Sequence, residues 1–289
     1  MTFTLFLEQV LNGLVQGAVY ALVGAGLALV YGTMRILNLA QGEFFMLGGF
    51  ATYVLVGELG VNPFLGVAGA VVVAGAAAAL VQRFAVAPLQ QKEGWEFSTI
   101  ALTLGVSIVL QNLAFHIWGE RFKTVDYFVE GSLRIDSFRM PWQRILILGA
   151  SLALIAAAAG VLKYTRFGRA LRATSQDAQA AQVMGIASHR IQAWAFVIAA
   201  GLGAFAAALL SPLASVNPWM GMPFMLKAFV VVVLGGLGSF PGAIVGGLLL
   251  GVVESVGLSV TSSEWRDVIS FSLLIAILWV RPAGLFGTP

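Results

Sequence analysis

GRALRATSQDAQAAQVMGI, Gly168 to Ile186, is the longest polar run in a chain that is otherwise mostly hydrocarbon. Its spacing predicts a short amphipathic helix over residues 175–186. Ser175 is placed to cap the start, and Asp177 puts an acid in the first turn, where the helix dipole favours it. Gly185 supplies a C-terminal stop. Between these signals Ala180, Val183 and Met184 fall at i, i+3 and i+4, a narrow apolar stripe. Arg166, Arg169 and Arg172 lead in, and Arg190 follows. The run therefore reads as a basic loop with one amphipathic helix, set between two membrane segments.

Working outward, the 289 residues are 59% hydrophobic and 10% charged. A soluble domain carries roughly 25% charged residues, because its surface has to be solvated by water. This chain cannot cover such a surface, so its solvent is lipid. Continuous apolar runs near helix length favour a helix bundle over a barrel of alternating ten-residue strands. The 34 glycines and the alanine runs 76–79 and 156–159 point to helices that approach closely. The chain contains no cysteine, which excludes disulfides and thiolate metal sites. His116 and His189 lie too far apart in sequence to suggest a metal site, and no cofactor is expected. The net charge of +3 does not argue for nucleic acid, since most bases sit at membrane edges. The first residues carry neither a basic leader nor a cleavage signal, so the first segment is expected to be retained.

In order, residues 5–31 are apolar enough to span, with Glu8, Gln9 and Asn12 near the outer end. GTMRILNLAQGE (32–43) interrupts the run, and 44–56 is short for a span. Residues 61–86 and 97–118 span, 120–144 is the longest external candidate, and 145–162 leads into the basic loop. Residues 191–215 span again. The short 226–234 runs into GGLGSFPG (235–242), where glycines, Ser239 and Pro241 interrupt a helix. Residues 243–260 and 268–280 complete an all-α, polytopic transmembrane bundle of about eight or nine segments, some discontinuous.

Orientation follows from the bases. If the Gly168 loop is cytoplasmic, the inner pieces hold Arg35, Arg83, Lys92, Lys163, Arg166, Arg169, Arg172, Arg190 and Arg281. That places the N-terminus outside and the C-terminus inside. The paired interruptions at 38–49 and 235–247 hint at internal repetition, a pointer to a transport pathway.

No lysine follows a glycine as a P-loop requires, so ATP is not bound by that route. No nucleophile–base set appears either, and the chain reads as no enzyme. What remains is polar residues at membrane depth. Asn38, Gln41 and Glu43 cluster in the first interruption, where an ionisable group is costly and functional by default. The alternative for Glu43 is an interfacial acid at a helix start. Gln111 and Asn112 are expected to bond between helices, and Glu254 to have a structural partner. The break at Gly235, Gly236, Gly238 and Ser239 reads as non-helical backbone lining a polar cavity, with close helix packing as the alternative.

GLVQGAVYAL (13–22), RILNLAQGEFFMLG (35–48), the 168–186 run, KAFVVVVLGGLGSFPGAIVGGLLLGVVES (227–255) and RPAGLFG (281–287) together resemble the LivH-type permease. This is the membrane subunit of branched-chain amino acid ABC importers. The motifs run in family order over nearly the whole chain. The resemblance implies a single permease domain, 1–289, with a coupling loop at 163–190, in a bacterial inner membrane. It implies a homologous second permease, two cytoplasmic ATPase subunits and a periplasmic binding protein as partners, with aliphatic amino acids as cargo. Urea or amide permeases of the same family are the nearest alternative, and an ion-coupled carrier is the next.

The family's coupling pattern, E-A-A-x-x-x-G, stands here as Gln179-Ala180-Ala181-Gln182-Val183-Met184-Gly185, with Gln for Glu. It implies docking of this helix on an ATPase, together with Arg169, Arg172 and Asp177. Gln41 stands where relatives usually show His. It keeps hydrogen-bonding capacity but cannot titrate near neutral pH.

Overall fold

The computed structural model describes residues 3–90, 94–135 and 138–287, and Lys92, counted among the inner bases, falls outside them. α1 (Phe3–Met34) runs without proline for 32 residues, about 48 Å at helical rise and more than a bilayer core needs. It stops at Arg35, whose φ of +57° turns the chain out of the helix. α2 (Gln41–Thr52) follows and continues through a π-helical stretch to Glu58. α3 (Pro63–Val81), a second π-helical stretch and α4 (Ala87–Leu89) form one continuous span. Asn62 caps α3 by accepting from the Phe64 amide at 3.0 Å, with Pro63 in the first turn.

α5 (Trp95–Trp118) leads to the region expected to be external. There β1 (Ser132–Ile135) pairs antiparallel with β2 (Phe138–Pro141). α6 (Trp142–Tyr164), α7 (Arg166–Gln176), α8 (Ala178–Val183), α9 (Ser188–Leu210), α10 (Gly221–Gly235), α11 (Phe240–Leu258) and α12 (Arg266–Val280) complete the order. Among the described residues, six helices are long and apolar enough to cross a bilayer. α2, α10 and α12, at 12, 15 and 15 residues, are the shorter pieces of the bundle.

α1 is the buried axis: 89% of its span is enclosed by the chain, against 11% for α5 and 17% for α6, which present Leu, Ile and Val outward. Small residues set the closest approaches. A side chain on Gly13 would meet the Val252 backbone at 2.6 Å, one on Gly17 the Gly247 carbonyl at 2.8 Å, and one on Gly247 the Ala21 amide at 2.5 Å. Gly13, Gly17 and Ala21 thus face Gly247 and Gly251 as two small-xxx-small stripes. Gly48 of α2 lies in the same way on the Ala204 backbone of α9. Aromatic pairs fill the wider gaps, with Phe45 stacked on Phe224 at 4.1 Å and Phe50 on Trp118 at 4.4 Å.

The bundle has two distinct ends. At one, Arg35 reaches Ser175, Gly238 abuts Gly32, and residues 281–287 return onto the end of α10. At the other, Arg144 bonds Asn12, Ser255 bonds the Gln9 carbonyl at 2.7 Å, and Lys123 and Val216 exchange backbone bonds at 2.8 Å. The basic loop and the hairpin region therefore lie on opposite sides.

Candidate functional site

The break after α1 plunges into the bundle. Gln41 donates to the Ala199 carbonyl at 2.8 Å, a residue eleven positions into α9 and so about 16 Å from that helix's start. Its amide nitrogen lies where Cβ atoms on Gly26 and Gly203 would fall, 3.0 and 3.2 Å away. Asn38 Oδ1 accepts from the Ala40 amide at 3.1 Å, and Glu43 Oε1 accepts from the Ser107 hydroxyl at 3.0 Å. Asn38, Gln41 and Glu43 are 0, 0 and 2% exposed, and Glu43 lies in the first turn of α2. Each keeps one unpaired atom: Asn38 Nδ2, Gln41 Oε1 and Glu43 Oε2. Buried polar atoms without partners are costly, and three in six residues concentrate that cost in one short stretch.

The second break departs from expectation. Gly236 (φ +103°) and Gly238 (φ +80°) turn the chain, and Ser239 caps α11 by accepting from the Gly242 amide at 3.1 Å. The carbonyls of Leu234 and Gly235, however, accept from Leu285 and Phe286 at 2.8 and 3.0 Å. Gly235 and Gly236 are buried beneath that returning segment, in the close packing that the sequence offered as the alternative. Gly238 and Ser239 line an apolar cavity of about 490 Å³ shared with Leu162, Lys163, Leu171 and Arg172. The physical reason is that RPAGLFG supplies the N–H groups that open backbone would otherwise seek from water.

The basic loop folds as two helices, not one. Thr165 caps α7 through the Gly168 amide at 3.0 Å. Asp177, not Ser175, is the N-cap of α8: its Oδ1 accepts from the Gln179 and Ala180 amides at 2.8 and 2.9 Å. Ser175 instead donates to the Arg172 carbonyl. Arg166, Arg169 and Arg172 ride on α7, and Arg172 donates to the Leu162 carbonyl. The turn after α8 closes at Gly185 (φ +85°), where the Ile186 amide reaches back to the Ala181 carbonyl at 3.0 Å. Val183 and Met184 are 87 and 82% exposed, and Gln179, Ala180 and Gln182 are exposed beside them. Ala181, part of the coupling pattern, is buried against its own chain. A polar cavity of about 620 Å³ opens between this loop and the first break, lined by Arg35, Thr174, Gln179, Gln182, His189 and Gln192.

A polar centre forms around Glu254, for which the sequence predicts a partner. Glu254 is buried and accepts from Tyr20 at 2.8 Å, from Lys227 and from Ser270. Lys227, buried as well, also pairs with Asp267 at 2.9 Å. Sequence reading expected a partner for Glu254; it missed Lys227, which lies 27 positions away near the start of an apolar run. Asn112 was expected to bridge helices, but it donates to the Ile108 carbonyl of its own helix at 2.7 Å.

Comparison with known proteins gives this arrangement its context. The pattern of the family described as branched-chain amino acid transport system / permease component matches residues 9–278. The high-affinity branched-chain amino acid transport system permease protein LivH of Salmonella typhimurium is 34% identical, covering 99% of this chain and 97% of the relative. The corresponding protein BraD of Pseudomonas aeruginosa is also 34% identical, over 98 and 96%. The solved structure of PsaBC from Streptococcus pneumoniae in complex with Fab superposes with a TM-score of 0.54 at 16% identity, covering 99 and 95%, a likeness of fold alone. With a family pattern spanning nearly its whole length and relatives matched end to end, the chain belongs to the permease family of branched-chain amino acid ABC transporters, multi-pass proteins of the inner membrane.

Proposed function

We propose that this chain works as one of two homologous permeases, 1–289 acting as a single unit, over two cytoplasmic ATPase subunits and under a periplasmic binding protein, and that it carries out no catalysis of its own. The observation that carries the reading is the exposed pair Val183 and Met184 on a turn capped at both ends. A short helix with apolar anchors laid open at one end of a membrane bundle suits a groove on a soluble partner. Arg169, Arg172, Asp177, Gln179, Ala180 and Gly185 frame that contact, while Ala181 seats the helix on the bundle. The basic loop then faces the cytoplasm, the N-terminus lies outside and the C-terminus inside.

The geometry suggests how ATP closure reaches the pathway. Force on α8 passes through Asp177 into α7, and from Ser175 to Arg35 at the start of the first break. The break leads directly to Asn38, Gln41 and Glu43, whose unpaired atoms become satisfied once the passage opens to water or cargo. Gly238 and Ser239 flank the same end. Aliphatic amino acids are the cargo, as the named relatives carry.

The test is reconstitution of the assembled transporter in vesicles, with radiolabelled leucine and binding protein outside and ATP inside. Uptake should require ATP and binding protein and no ion gradient. Uptake driven by a proton or sodium gradient without ATP would sink the reading.

A further inference from the structure

The outward wall of the bundle carries a cavity that the pathway above leaves unused. It lies between α9 and the span formed by α3 and its π-helical continuation. Its volume is about 700 Å³, within the usual range for small-ligand sites. Val72 on one wall and Trp194 on the other are both exposed, so the cavity opens away from the core. In a chain whose solvent is lipid, an opening between two spanning helices meets the bilayer.

The two ends of the cavity differ in chemistry. From Val72 the α3 wall runs through Gly75, Ala76 and Ala79, small enough to leave a trough, and Val197 faces them from α9. About 16 Å of helix beyond Val72 stand Arg83, His189 and Arg190. This is the end that also carries the basic loop, since Ser188 donates to the Ala178 carbonyl of α8. No acid lines the cavity, and among the described residues neither arginine makes an ion pair.

Gln82 adds a second, independent sign. It lines the charged end, is 5% exposed, and makes no side-chain hydrogen bond among the described residues. It also begins the π-helical stretch Gln82–Val86, a backbone irregularity frequent at functional sites. A buried amide without a partner is costly, and here it points to a polar ligand group at the mouth of an apolar trough.

We propose that this cavity holds one anionic phospholipid, its phosphodiester on Arg83 and Arg190 and an acyl chain in the trough between α3 and α9. Gln82 donates to the phosphate or ester oxygens beneath the arginines. Trp194, about 6 Å of helix past Arg190, lies near the headgroup level where aromatic rings gather. Basic pockets between membrane helices suit anionic headgroups, and guanidinium forks suit phosphate oxygens. The two unpaired arginines call for an anion and the trough for a slender apolar chain. A phospholipid joins both in one molecule. Arg190 follows Ile186, where the turn after α8 closes, by four residues, so the lipid pins the exit of the basic loop.

The test uses the assembled transporter, stripped of lipid in detergent and titrated with dioleoyl phosphatidylglycerol, with bound lipid counted by native mass spectrometry. A saturable component of one lipid per copy of this chain is expected, which dioleoyl phosphatidylcholine does not displace. Arg83→Gln and Arg190→Gln should each weaken it about fivefold, and the double variant on the order of twentyfold. Ala79→Leu keeps every charge and fills the trough from an exposed position, so it should weaken the same component. In native membranes, p-benzoylphenylalanine placed at Val72 should photo-crosslink to an adduct of phospholipid mass. Phosphatidylglycerol binding unchanged in the double variant would overturn the site, as would equal binding of phosphatidylcholine. Displacement by inorganic phosphate would reduce the arginines to a free-anion site and overturn the lipid. A protein-sized adduct at Val72 would hand this face to a neighbouring chain, with the same result.

Discussion

The guanidinium of Arg35 donates to the backbone carbonyl of Ser175 across 3.3 Å, joining residues 140 positions apart. Among the described residues Arg35 is also the one non-glycine with positive φ. Left-handed backbone costs a non-glycine residue on the order of 1–2 kcal/mol, and it persists where surrounding contacts over-determine it. If the side chain transmits force, Arg35→Ala and Arg35→Gly should both uncouple ATP hydrolysis from leucine uptake, although glycine relieves the backbone. Recovery of coupling by Gly but not Ala would assign the effect to the backbone turn instead.

Val183→Asp and Met184→Asp should detach the ATPase subunits, or abolish stimulation of hydrolysis by loaded binding protein, without harming the permease fold. Apolar anchors of this kind contribute on the order of 1–3 kcal/mol each. Gln182→Ala should change little. Pull-down of ATPase by tagged permease reads this directly, and equal damage from all three changes would count against the docking face. Gly185→Arg and Ala181→Arg are poorer probes, because Gly185 sits at φ +85° and Ala181 is buried, so both disturb the turn itself.

Glu254→Leu should lower the melting temperature of the purified protein sharply. Breaking a buried pair costs on the order of 3–5 kcal/mol, because the remaining charge is left uncompensated. Lys227 retains Asp267, but that side chain is 74% exposed and a weak substitute. Lys227→Met combined with Glu254→Leu should recover part of the loss. Asp267→Asn alone should cost under about 1 kcal/mol.

Glu43→Gln keeps the shape and an acceptor for Ser107 while removing the charge. It is expected to lower the rate of leucine uptake more than it lowers assembly, measured as turnover per intact complex. Wild-type turnover in this variant would return Glu43 to a packing role.

Gly236→Val should fail at folding, not at transport alone. Its Cβ would meet the Gly287 amide at 2.5 Å, at a φ of +103° that L side chains rarely adopt. Assembled complex in normal yield would contradict the packing seen at that turn.

The sequence made much of this legible, because hydropathy and glycine content are local signals. The spans, both breaks and the exposed stripe of Val183 and Met184 follow from runs and spacings. The spacing places the helix cap at Ser175, two residues early, since both Ser175 and Asp177 are good caps and only the kink after Gln176 selects between them. Nothing in the stretch around Gly235 and Gly236 announces that Leu285 and Phe286 return to cover them. Lys227 escaped for the same reason: its partner is remote in sequence, and periodicity carries no information about pairs that only tertiary packing brings together.

The facing stripes of α1 and α11 also determine what in the molecule is able to move. With Gly13, Gly17 and Ala21 seated on Gly247 and Gly251 at backbone contact, neither helix can slide or roll without steric overlap. The pair therefore travels as a rigid keel, and any opening of the passage has to come from the elements hinged around it. Amide hydrogens along residues 15–23 and 247–252 should accordingly be the last in the chain to exchange with solvent.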